Sequence, residues 1–85
     1  MNVSIIWDLD DDEEGNVLHV AEHGIEKDDV VYVFDHPIGL GTSDSSKRPM
    51  IFGYTAGGRY ITVIYEQIDE DTAYPVTAFE VPEPG

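Results

Sequence analysis

At Arg48 the spacing of apolar residues changes from three and four to two, and that change decides which kinds of fold are open to this chain. From there on the sequence reads as strands. Arg48 to Tyr54 (RPMIFGY) is the first, Ala56-Gly57-Gly58 forms a tight turn, and Arg59 to Ile68 (RYITVIYEQI) is a central strand rich in β-branched and aromatic residues. Glu70 to Ala73 turns the chain again, and Tyr74 to Val81 (YPVTAFEV) is a third strand. Pro75, which has no N–H to give a ladder, points to an edge position for that strand. Pro82 to Gly85 forms a tail outside the core.

Before Arg48 the pattern differs. Val3 to Trp7 (VSIIW) is short, apolar and β-branched and reads as a strand. Val17, Val20 and Ala21 recur at three and four behind a run of carboxylates, and Gly24 follows them. Acidic residues favour the positive end of a helix dipole and glycine supplies a left-handed cap, so a helix is expected from about Asp11 to His23. A second helix is expected from Lys27 or Asp28 to Asp35, with Val30, Val31, Val33 and Phe34 as its buried stripe and Pro37 as its stop. Ile38 to Lys47 (IGLGTSDSSK), with two glycines and three serines, reads as a surface loop. The expectation is one α+β domain over 1–85, with an ordered core over 1–81. An N-terminal strand and two helices precede a three-stranded antiparallel meander, and the helices pack on one sheet face.

Charge narrows the function. Eighteen carboxylates face four permanent cations, a formal charge of −14. Three of those cations, Lys47, Arg48 and Arg59, fall on the expected hairpin. Any grip on phosphate must use them, helped by His19, His23 or His36. A surface this acidic repels nucleic acid at long range and attracts basic proteins. The chain has no cysteine, so disulfide and thiolate chemistry are excluded. Nothing resembles a signal peptide or a membrane span, and the expected location is the cytoplasm.

Four constellations carry possible chemistry. Asp8, Asp10 and Asp12 alternate like calcium ligands, but an EF-hand needs glycine and glutamate where Glu13 and His19 stand. His19-Val20-Ala21-Glu22-His23 matches H-x-x-E-H, which on a helix puts two histidines on one face. No third ligand follows on a second helix and the chain is small for a peptidase cleft, so no metal or other cofactor is assigned. In the hairpin, a two-residue turn at Ala56-Gly57 sets Arg48 opposite Tyr65 and Arg59 near Tyr54. The arginines are then roughly 20 Å apart, and each can hold a phosphate while its tyrosine stacks a base. Thr77 and Glu80 on the last strand are further polar candidates, Glu80 as a general base.

Trp7-Asp8, Asn16, His23-Gly24-Ile25, Val33-Phe34, Pro37, Arg48, Gly53, Gly58-Arg59, Val63 and Tyr65 follow one another in an order that resembles the BrnT-like toxin family, over about Ile5 to Phe79. The resemblance implies a RelE-type ribonuclease fold and metal-independent acid–base cleavage of RNA. It also implies neutralisation by a DNA-binding antitoxin, a basic protein partner. His23, Arg48 and Arg59 carry over as catalytic residues, with Lys47, Tyr54 and Tyr65 beside them for substrate. Where the family commonly has lysine before histidine-glycine this chain has Glu22, and no arginine follows Ala78. A different expectation follows from charge: a non-catalytic acidic protein that holds a basic partner or mimics nucleic acid.

Overall fold

A computed structural model describes residues 3–84. In chain order the elements are β1 (Ser4–Ile5), α1 (Asn16–Ala21), α2 (Lys27–Asp35), β2 (Gly39–Thr42), β3 (Pro49–Tyr54), β4 (Tyr60–Asp69) and β5 (Thr72–Glu80). The strands form one five-stranded mixed sheet in the order β1-β5-β4-β3-β2. β2 to β5 run antiparallel in sequence, and β1 adds in parallel to β5. The expected meander is therefore the centre of a wider sheet, flanked by one further strand on each side.

Both helices lie on the face that carries Ile51, Ile61, Val63, Tyr65, Ala73 and Ala78, and these side chains with Val20, Ile25, Val30, Val33 and Phe34 make the core. Val3, Ile5 and Trp7 pack against it. Close approach of α2 to the sheet depends on Gly53. A Cβ there would stand 3.1 Å from Val33 Cγ1 and 3.2 Å from the His36 carbonyl oxygen.

α2 begins in a capping box, in which Glu26 and Asp29 each accept the other's backbone N–H. α1 is shorter than expected. It starts at Asn16, so the run from Asp8 to Glu14 is an irregular loop rather than a first helical turn. Asn16 is the reason: its side chain is committed to groups outside the helix, described below. At the other end Gly24 has φ 73°, and the N–H groups of Gly24 and Ile25 donate to Ala21 and Val20 carbonyls, a Schellman closure.

Ile38 to Lys47 is not all loop, because Gly39–Thr42 pairs with Pro49–Phe52 as an edge strand. Its two glycines lie against Phe52, whose Cε1 would be 3.4 Å from a Cβ at Gly41. The ring covers backbone that glycine leaves bare. β5 is an interior strand only at Thr72 and Ala73, where β1 pairs with it, and from Tyr74 on it is the edge expected for Pro75. Pro75 is fully buried and sits where the pairing with β4 slips, Ile64 facing Thr77 and Tyr65 facing Pro75. On the other side, pairing with β1 ends at Ala73. The missing N–H thus falls at a bulge, where no ladder bond is lost.

Candidate functional site

The β3–β4 hairpin turns through three residues, not two. Thr55 N–H donates to the Arg59 carbonyl at 2.8 Å, and Gly58 takes φ 89° to close the loop. That one extra residue changes every facing pair. Tyr54 faces Tyr60, and Arg48 reaches Glu66 rather than Tyr65. A one-residue slip also exchanges faces. Tyr65 points into the core, 6 % exposed, with its ring edge-on to Phe34 at 5.0 Å. Burial raises its hydroxyl pKa. It is a packing residue, not a neighbour of Arg48.

Arg48 and Arg59 are on opposite faces and at opposite ends of the hairpin, about 23 Å apart along β4 at roughly 3.3 Å per residue. Arg48 Nη2 is 3.0 Å from Glu66 Oε1 on the face without helices. Arg59 is on the helix side: Nε donates to Glu80 Oε1 at 2.9 Å, Nη1 to the Gly24 carbonyl at 2.6 Å and Nη2 to the His23 carbonyl at 3.4 Å. Its guanidinium thus satisfies carbonyls left over at the end of α1. Glu80, a candidate base from sequence, is the carboxylate in this cluster.

His23 is exposed and lies two residues beyond the last residue of α1, where its N–H donates to the Val20 carbonyl. Among the described residues no three His, Asp or Glu side chains come together as metal ligands. The His23 ring lies 6.1 Å from that of Phe79. Structure therefore brings His23 and Arg59 together and leaves Arg48 apart from both.

The helix-free face of the sheet is built from the alternate residues Met50, Phe52 and Tyr54 of β3, Tyr60, Thr62 and Ile64 of β4, and Thr77 and Phe79 of β5. All but Thr62 are half-buried, and Thr62 donates its hydroxyl to the Ile51 carbonyl beneath it. Tyr60 lies 4.9 Å from Tyr54 and 6.3 Å from Phe52, ring to ring. Tyr54 thus belongs to an aromatic row. Arg48 and Glu66 mark one end of this face, and exposed Lys47 precedes Arg48 in the turn. Lys47 has φ 59°, a left-handed conformation that costs lysine more than glycine.

Lys27 pairs with Asp10 at 2.7 Å. Three of the four permanent cations are therefore ion-paired, and Lys47 makes no salt bridge among the described residues.

Sequence reasoning missed the node formed by Asp8, Asn16 and Tyr74. Asn16, 1 % exposed, donates through Nδ2 to the carbonyls of Ile6 and Pro75, both at 2.9 Å. Tyr74 donates its hydroxyl to Asp8 Oδ2 at 2.5 Å. That bond, with the Asn16 N–H, holds the Asp8 carboxyl below its ordinary range, and it pushes Tyr74 up to about 12. Asp8 and Asn16 stood among the sequence landmarks, but nothing in the sequence joined them to each other or to Tyr74. No helix among the described residues is long and apolar enough to cross a membrane. Comparison of the chain with family models, with curated proteins and with solved structures finds no match in any of the three.

Proposed function

We propose that this chain is the toxin-like component of a type II toxin–antitoxin module, a small metal-independent ribonuclease of BrnT-like, RelE-type kind that acts in the cytoplasm and is neutralised by a basic, DNA-binding antitoxin. The observation that carries this reading is the helix-free face. On a chain of charge −14 it bears Phe52, Tyr54 and Tyr60 in a row, with Arg48 and Lys47 towards the end where the carboxylates Glu66 and Asp69 also lie. Aromatic rings on a sheet face stack unpaired bases, and arginine holds the phosphate between them. Arg48 exchanges Glu66 for phosphate as RNA arrives. His23, whose ring lies 6.1 Å from that of Phe79 at the margin of the face, serves as the acid–base group. In such a cleavage the 2′-hydroxyl loses its proton as its oxygen attacks phosphorus, and the 5′-oxygen leaves and takes one up. Arg59 serves as a positioning residue through its bonds to the His23 and Gly24 carbonyls.

A second reading is favoured by the ion pairs. With Lys27, Arg48 and Arg59 each held by a carboxylate, the chain presents little free positive charge and suits a non-catalytic acidic protein that holds a basic partner or mimics nucleic acid. Induction of the chain in a bacterial host, with growth and total RNA followed, separates the two. Growth arrest with RNA cleavage that Arg48→Ala loses supports the ribonuclease. Folded protein without arrest or cleavage removes that reading and leaves the binder.

A further inference from the structure

We propose that the groove between α1 and the start of α2 seats an amphipathic, lysine- or arginine-rich segment of a protein partner. This rests on the reading, common to both functions above, that a basic protein holds the chain. The groove is about 390 Å³, with Val17, Ala21 and Ile25 as its apolar lining. Val17 and Ala21 are one turn apart on α1, and Ile25, buried behind them, follows the Schellman closure, so the apolar floor of the groove is held by a rigid stretch.

The polar lining is acidic. Asp10, Glu26 and Asp28 contribute carboxylates against the single ammonium of Lys27, which Asp10 already neutralises at 2.7 Å. The loop that supplies Asp10 continues through Asp11, Asp12, Glu13 and Glu14, all exposed, and it holds Leu9 76 % exposed. A leucine among carboxylates gains nothing from water and suits a partner that offers apolar and cationic groups together. Aliphatic groups four residues apart with an anionic rim are what a helix with leucine on one stripe and lysine on the other is shaped to meet. RNA is the wrong occupant, since its phosphates would face this rim.

The test uses two synthetic peptides of equal charge and about eighteen residues, long enough for a helix across the groove. One carries leucines at three- and four-residue spacing among lysines, and the other replaces every leucine with serine. Each is titrated into the ¹⁵N-labelled chain at physiological ionic strength. The expected result is that the leucine peptide binds at least about tenfold more tightly than the serine peptide, with shift changes centred on Val17, Ala21 and Ile25. Ala21→Arg and Asp28→Asn, both at exposed positions, should each weaken it severalfold while the chain still unfolds cooperatively within a few degrees of wild type. Equal binding of the two peptides, or shift changes centred on Tyr60, overturns the groove and leaves the basic-partner reading standing. Binding of neither peptide overturns both.

Discussion

Asp8 and Asn16 hold one another reciprocally: the backbone N–H of each donates to the side-chain oxygen of the other, both at 2.9 Å. The pair closes the acidic loop at its two ends. Through Asn16 Nδ2 it also ties that closure to Pro75, fifty-nine residues further on.

Asn16→Ala should therefore be severely destabilising. It removes the partner of the Ile6 and Pro75 carbonyls and of the Asp8 N–H at a fully buried position. The expected loss is about 3 kcal/mol or more in urea unfolding, whereas Asp8→Ala, at a more open position, should cost about 1 kcal/mol. Equal costs would show that the loop closure, not the buried amide, carries the energy.

The Tyr74–Asp8 hydrogen bond gives two pH limbs. Asp8 is depressed below its ordinary 3.8, so its contribution is present above that value and lost as pH falls through the lower folded one. Tyr74 is raised from 10.0 to about 12, so its contribution is full below 10.0 and lost as pH rises through about 12. Tyr74→Phe should lower the melting temperature at neutral pH and reduce both limbs without removing either, because the Asn16 N–H still holds Asp8 and buried Tyr65 is also raised. A variant with both limbs undiminished would assign them to other groups.

Two glycines should fail for different reasons. Gly58→Ala places a side chain at φ 89° with nothing within 4 Å, so only backbone strain opposes it, about 1 kcal/mol. Gly53→Ala meets Val33 and the His36 carbonyl and should cost about 1–3 kcal/mol. In double-mutant cycles with Val33→Ala, Gly53→Ala should couple and Gly58→Ala should add independently.

The arginines are unequal as probes. Arg48 makes only an exposed pair with Glu66 among the bonds described, and Arg48→Ala should change stability by less than about 1 kcal/mol. Arg59→Ala removes an ion pair and the donor of two solvent-exposed carbonyls at the end of α1 together, and should cost about 1 kcal/mol. Loss of activity in Arg48→Ala is consequently the cleaner sign of chemistry, and calorimetry of both variants checks the premise.

What could be read in the sequence was what local chemistry decides. α2 follows from Val30, Val33 and Phe34 and the stop before Pro37, although Val31 of the expected stripe is exposed, and the β3–β4 hairpin follows from its alternation and glycines. What could not be read depends on partners far away. α1 begins at Asn16 because of a carbonyl on β5, and β2 exists because Phe52 of β3 lies over its glycines. The candidate site suffered from the smallest error, one residue in the turn at Gly58, which moved Tyr65 from a phosphate-binding pair into the core. His23 and Arg59 meet through backbone carbonyls, a contact side-chain identity does not announce.

The acidic loop, pinned at Asp8 and Asn16, is not a loose polyanion. Its ends cannot separate while the two reciprocal bonds hold, so the carboxylates between them keep a restricted set of positions before any partner arrives. A protein that grips this loop has little chain left to order, and the entropy of fixing it was spent when the chain folded. Loosening the clasp should therefore weaken association chiefly by slowing productive docking, with the charge of the chain unaltered.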